Sequence, residues 1–260
     1  MKLSAILLMI VSSLFFYSAS ALNNPVYRVY TEEIDPISYQ ENSIIVGIAT
    51  EIVQEIFKQS GVAISIESYP WARAYNNVIN DKNGFVYPLV KNNQRENEFH
   101  WIGPIIIRET AFWALKSRAD ITPVDDIEGL RQYSIGVTNK ESIHQVLRDN
   151  SFSNLHPVTH SRINVMKLIH NRIDIMPANN YTVMKKIENT GYSKIELKKV
   201  YVYKTGGYYL GVNKSVPLPV VDTLNRSLEE IKKTNFVEHI HVKYGVDYDR
   251  ELYRQFGFGI

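Results

Sequence analysis

From residue 26 to residue 90 the hydrophobic period switches repeatedly between about 2 and about 3.6 residues, and that switching confines the chain to a parallel or mixed sheet covered by helices. Val26–Tyr30 is β-branched and aromatic and reads as a strand. Ile48, Ile52, Val53, Ile56 and Phe57 recur at helical spacing, and Gly61 is the residue type that ends such a helix. Ile64 and Ile66 alternate with polar neighbours over 63–69, a second strand. Ala74, Tyr75, Val78 and Ile79 restore helical spacing between Trp71 and Asn80, and Gly84–Val90 is a third strand. A second series follows the same grammar. Tyr133–Val137 is a strand, and Ser142–Asp149 is a helix with Ile143, Val146 and Leu147 inward. Ser161–His170 is a helix, Ile173–Met176 a short strand and Tyr181–Thr190 a helix.

The unit occurs twice without repeating in identity, so two lobes are expected. Tyr208–Val212 reads as a further strand, and Val221, Leu224, Leu228 and Ile231 mark one face of a long helix. No low-complexity linker separates the lobes. Two short extended crossings would explain this, near Ile106–Ile107 and near Lys204–Gly207. The boundaries that follow are 22–107 plus 207–260 for lobe 1 and 108–206 for lobe 2.

The first residues point to export. Lys2 gives a short positive start, Ala5–Tyr17 is apolar apart from Ser12 and Ser13, and Ala19-Ser20-Ala21 has the small-x-small pattern of a signal-peptidase site. Residues 1–21 are therefore expected to be a signal peptide, cleaved after Ala21. The apolar run is shorter than the ~20 residues that span a bilayer. No cysteine follows it for lipid attachment. About 240 residues remain, enough for one large domain or two smaller ones. A formal charge of +2 gives no electrostatic ground for a nucleic-acid partner. The absence of cysteine rules out thiolate metal sites and suits a periplasm. His239 and His241 stand at i, i+2, which puts their rings on different helix faces, so no metal site is expected.

Four segments carry a family resemblance in their order. They are Tyr30-Thr31-Glu32 through Pro36 and Tyr39 to Gly47 and the helix after it; Tyr69-Pro70-Trp71-Ala72-Arg73-Ala74; Lys91-Asn92-Asn93-Gln94-Arg95-Glu96; and Phe99-His100-Trp101-Ile102-Gly103-Pro104-Ile105. Together they resemble the family 3 extracellular (periplasmic) solute-binding proteins of polar-amino-acid ABC transporters, over nearly all of the mature chain. The resemblance implies an α/β, two-lobed periplasmic binding protein of type II, each lobe a mixed sheet flanked by helices, with two hinge crossings. It also implies a monomer in the periplasm, a small carboxylate ligand in the cleft, an inner-membrane ABC permease as partner, no cofactor and no catalysis. By position, it assigns the ligand carboxylate to Arg95, the covering aromatic to Trp71 and a second carboxylate donor to Ser142.

Each assignment has a physical case and a plainer alternative. The planar fork of an arginine gives a carboxylate two parallel charge-assisted hydrogen bonds. Arg95 could instead pair with Glu96 or Glu98. Ser142 falls at a helix N-terminus, where free N–H groups and the dipole favour an anion, though a serine there also serves as a plain cap. Thr138 lies on the same loop. Trp71 can cover a ligand or fill the core. Arg73 points to the cleft mouth or to a salt bridge with the other lobe, and Trp101 packs near the crossing. Tyr30, Tyr39 and Tyr87 fall at or just after strand ends, where open α/β sheets bind ligands. Two positions depart from the family. Lys91 replaces an arginine and loses its fork. Asn179 replaces an aspartate that would pair with an α-ammonium. The ligand's carboxylate is thus better supported than an amino group. Two rival functions remain: a free-standing sensory protein, and a dehydratase-like enzyme using Glu32 or Asp35, both of which loop solvation would explain.

Overall fold

A computed structural model describes residues 26–139, 141–192 and 195–259; the expected signal peptide lies outside them. Lobe 1 is built on β1 (Tyr27–Thr31), flanked in parallel by β4 (Ile64–Ser68) and β5 (Gly84–Leu89). Tyr27 and Val29 enter the core on one face of β1, and Tyr30 enters a smaller core on the other. Helix α1 (Ile48–Ser60) covers the first face, burying Ile48, Ile52, Val53, Ile56 and Phe57. Full burial of such side chains stabilises by about 1.5–3 kcal/mol each. Only glycine fits before it. Gly47 has φ 124°, and a Cβ there would lie 2.6 Å from the Ile37 carbonyl oxygen. Gly61 ends the helix at φ 71°, as its sequence position predicts. Helix α2 (Trp71–Asn80) covers the opposite face through Ala74 and Val78. A hairpin of β2 (Tyr39–Glu41) and β3 (Ile44–Val46) precedes α1.

Two strands of 17 residues, β6 (Phe99–Leu115) and β10 (Leu197–Asn213), run through both lobes. At about 3.3 Å per residue each reaches about 55 Å, far more than one small sheet requires. They pair antiparallel along their whole length, with Ile107 opposite Gly207 and Thr110 opposite Lys204. The two expected crossings are therefore partners in one ribbon. The six-stranded sheet has the order β4-β1-β5-β10-β6-β9, where β9 (Met176–Asn179) pairs antiparallel with β6. In lobe 2, β7 (Ile135–Thr138) pairs in parallel with β8 (Leu155–Val158). Helices α3 (Ser142–Asp149), α4 (Ser161–Ile169) and α5 (Asn180–Glu188) cover this lobe, and its apolar residues form two clusters of their own. Helices α6 (Leu218–Lys232), α7 (Phe236–Lys243) and α8 (Arg250–Arg254) return to the lobe 1 core.

One short strand lies elsewhere than expected. Residues 173–175 make only an isolated bridge at Ile175, and the strand is β9, which starts at Met176, the last residue of the expected run. Pro177 sits inside it, which an edge strand tolerates because its outer side needs no N–H. The expected strand at Tyr208–Val212 is the end of β10 alone.

Among the described residues, the outer edge of β6 beside β9 pairs with no strand near Ile107. Side chains take its place. The Ile107 N–H donates to the Tyr253 hydroxyl at 3.1 Å, and the Tyr181 hydroxyl donates to the Ile107 carbonyl at 2.8 Å. The Glu109 N–H donates to Asn180 Oδ1 at 3.0 Å. His241 Nε2 lies 2.9 Å from the Tyr253 hydroxyl and 3.0 Å from that of Tyr181. Its Nδ1 lies 2.6 Å from the Val237 carbonyl, so Nδ1 carries the proton and Nε2 accepts. Tyr181 comes from α5 yet is buried in the lobe 1 core.

Burial lowers the His241 pKa to about 4, with the Val237 carbonyl and Asp247 opposing. Between that value and about 6.5 in the unfolded chain, only the unfolded form takes the proton. Stability is thus fully present above about pH 6.5 and is lost as the pH falls toward 4. Denaturant melts at pH 7 and pH 5 are expected to differ by about 2 kcal/mol from this group. His241→Gln, which cannot take a proton, removes that component of the difference.

Candidate functional site

The site starts where β5 ends. The Asn92 carbonyl accepts from the Arg95 and Glu96 N–H groups at 3.1 and 2.9 Å, and its side-chain Oδ1 also accepts from Arg95 N–H at 3.0 Å. This turn lays the Arg95 guanidinium over α2, with Cζ 5.1 Å from the Tyr75 ring centre and 5.5 Å from that of Trp71. Trp71 and Tyr75 are four residues apart on one helix face, with ring centres 5.6 Å apart. Edge-to-face contacts continue through Phe99 and Trp101 to Tyr209. Lys91 Nζ stands 5.9 Å from the Trp101 ring.

Both acids beside Arg95 are committed elsewhere. Glu96 pairs with Lys91 at 3.3 Å, and Glu98 accepts from the Tyr75 hydroxyl. Burial and that carboxylate push the Tyr75 pKa up. Arg95 makes no ion pair among the described residues, and its half-buried charge rests on ring faces. Trp101 is fixed through its Nε1–H, which donates to the Glu96 carbonyl at 3.0 Å.

Lobe 2 presents the ends of its own elements. Thr138 closes β7 half-buried, and Ser142 is the exposed first residue of α3. Glu141 holds the cap position with no side-chain cap, so Ser142 is not the capping residue. Asn179 closes β9 and caps α5, its Oδ1 accepting from Tyr181 N–H at 3.0 Å. Among the described residues no hydrogen bond or ion pair joins Thr138, Ser142 or Asn179 to the Arg95 shelf. The ion pair that does join the lobes is Lys185 of α5 with Asp35, at 3.0 Å.

The remaining candidates divide. Arg73 is exposed, its guanidinium 4.2 Å over the Tyr69 ring, and it bridges to no acid of lobe 2 among the described residues. Tyr39 packs edge-on to Tyr244, with no contact to Arg95 or Trp71 among the aromatic and cation–ring pairs of the described residues. Two of the strand-end tyrosines turn inward instead. Tyr30 is buried and donates to Asp81 at 2.8 Å, and Tyr87 is fully buried and donates to Thr50 at 2.9 Å. Asp174, on the segment before β9, accepts from the Ser134 N–H and hydroxyl and from Arg118, which ties lobe 2 together.

Two residues gain importance from the structure. Loop solvation does not account for Glu32, which is half-buried and whose carboxyl is pushed up by desolvation. Arg108 lies on β6 at the crossing, with Cζ 5.5 Å over the Tyr208 ring. Burial raises the Tyr208 pKa, and Arg108 opposes that rise. A signal for Arg108 was present: Arg108-Glu109 is the one charged pair in the run from Trp101 to Leu115. Among the described residues no group of three His, Asp or Glu can hold a metal, and no helix is long and apolar enough to cross a membrane.

The sequence profile of the bacterial extracellular solute-binding proteins, family 3, matches residues 27–247. No curated protein sequence matches the chain. Among solved structures, substrate-binding domain 2 of Lactococcus lactis GlnP in its open conformation is similar, with 13% identity over 89% of this chain and 99% of that one, TM-score 0.71. The L-cystine solute receptor of Neisseria gonorrhoeae, unliganded and open, is similar with 14% identity over 91% and 94%, TM-score 0.71. A histidine kinase sensor domain with similarity to periplasmic binding proteins gives 16% identity over 87% and 99%, TM-score 0.62.

The Asn179 cap is separable from any contact with a ligand. Asn179→Ala is expected to cost about 1 kcal/mol in denaturant melts, while Asn179→Asp keeps the cap oxygen and costs close to nothing.

Proposed function

The chain belongs to the bacterial extracellular solute-binding proteins, family 3, and from that premise we propose that it captures a small carboxylate-bearing ligand between its two lobes for ABC-type uptake. The ligand is an amino acid or a related organic anion. The observation that carries this is Arg95: its guanidinium lies on Trp71 and Tyr75 while both neighbouring acids are engaged elsewhere. An arginine positioned by ring faces and lacking an acid partner is ready for a bidentate carboxylate. Trp71 and Lys91 border the same shelf. Thr138 and Ser142, with the N-terminal N–H groups of α3, face the anion from lobe 2 on closure. Asn179 offers an amide in place of a charge, which favours ligands whose amino group is absent or weakly held. Arg73 borders the cleft mouth, and Tyr39 contributes from the hairpin side.

The lobes divide at residues 22–107 plus 207–260 and 108–206, and the chain acts as a monomer in the periplasm after cleavage at Ala21. A sensory role is the second possibility, supported by the likeness to a histidine kinase sensor domain. Uptake of the bound solute by cells holding a cognate permease separates transport from sensing.

A thermal-shift screen of amino acids and small organic acids is expected to yield at least one carboxylate that raises the melting temperature by mass action. Arg95→Gln is expected to weaken that hit by about 1.5–3 kcal/mol, roughly ten- to a hundredfold. The hit compound is recovered unchanged. Undiminished binding by Arg95→Gln would sink the carboxylate assignment, and turnover of the hit would favour an enzyme.

A further inference from the structure

A cavity of about 330 Å³ opens between the loop after β5 and the crossing ribbon. Its walls include Lys91, Asn92, Arg108, Lys204, Gly206 and Tyr209. Asn92 is also the residue whose turn holds Arg95, so the cavity adjoins the Arg95 shelf. Three cations line it, Lys91, Arg108 and Lys204, against one acid, Glu96. Glu96 is already paired with Lys91 at 3.3 Å. Arg108 and Lys204 pair with no acid among the described residues.

Arg108 is the unusual member. Its Nε is buried and has no hydrogen-bond partner, although a buried donor left unpaired costs free energy. Its position across the ribbon is held by Gly206, where an added Cβ would meet nothing within 4 Å. The cavity that Arg108 lines is thus rich in cations, and its guanidinium carries a donor with no partner among the described residues. Carboxylate oxygens match an arginine fork in both charge and shape.

We infer that this cavity is a second anion subsite at the hinge, in which Arg108, assisted by Lys204, binds a second carboxylate of the same ligand. The ligand class is then a dicarboxylate or an acidic amino acid rather than a monocarboxylate. This rests on the proposal that Arg95 holds the first carboxylate. Because Arg108 lies on a crossing strand, the second carboxylate bears on the segment about which the lobes turn.

Calorimetric titration of the full chain tests it with matched pairs. Succinate, glutarate and adipate are compared with butyrate, valerate and hexanoate, and L-aspartate and L-glutamate with their amides. At least one dianion is expected to bind about tenfold or more tightly than its monobasic partner. Arg108→Gln is expected to erase that margin and leave monobasic binding as it was. Lys204→Gln, at an exposed position that folding tolerates, is expected to reduce the margin in part. Equal binding of dianions and monobasic partners, or a margin that survives in folded Arg108→Gln, overturns the inference. If monobasic acids bind through Arg95 and dianions gain nothing, the Arg95 assignment stands and the hinge subsite falls. If no carboxylate of either kind binds, both fall.

Discussion

The unpartnered outer edge of β6 at Ile107 and Glu109 is the constraint on which the rest of the structure depends. A strand that crosses between two lobes must leave one sheet edge before it joins the next. Its peptide groups still need partners there, because buried unpaired backbone is costly. Tyr253, Tyr181 and Asn180 supply them. Two of these three belong to α5 of lobe 2, and Tyr253 belongs to α8, which packs with lobe 1. The crossing is therefore clamped from both sides by hydrogen bonds, those of Tyr253 and Tyr181 buried and that of Asn180 part-buried, with neutral His241 closing the network. By contrast, the Lys185–Asp35 pair that also links the lobes is a third or more exposed on each side. Such pairs contribute about 0–1 kcal/mol. The pivot is held firmly, and the contact farther along is weak enough to break and reform.

That division of strength suits a hinge. In the proposed site each lobe brings an incomplete set of groups: lobe 1 the Arg95 cation on its aromatic shelf, lobe 2 the ends of β7 and β9 and the starts of α3 and α5. A ligand touching both sets favours the closed arrangement by its differential contacts, which is how hinged binders respond. Under the proposed closure, bending or twisting falls on the β6–β10 ribbon near the Ile107–Gly207 pairing. Arg108 stands one residue beyond it.

Much of lobe 1 was legible in the sequence because each element keeps one environment throughout. Helix α1 shows a clean apolar stripe from Ile48 to Phe57, and Gly61 marks its end. The bounds of α2 and α3 also match their spacing. The long strands were not legible as such. Ile105, Ile106 and Ile107 are all buried because β6 is covered on both faces at the crossing, which erases period-2 alternation. The first half of β10 carries Lys198, Lys199 and Lys204 among tyrosines and valines, a pattern that resembles a solvated loop. β9 was displaced by Pro177, whose place on an edge becomes visible only once the strand order is known. At the proposed site, Arg95 and Trp71, assigned from the order of the motifs, lie against each other. Only tertiary structure reveals that Glu96 and Glu98 are occupied by Lys91 and Tyr75.

The most direct test of a hinged two-lobe binder is the interlobe distance with and without ligand. Spin labels at Asn77 on α2 and Gln145 on α3, read by pulsed dipolar spectroscopy, report it. Saturation with a thermal-shift hit is expected to shorten and narrow the distance distribution, and Arg95→Gln at the same concentration to leave it open. An unchanged distribution at full saturation of the wild-type chain would contradict closure around the ligand.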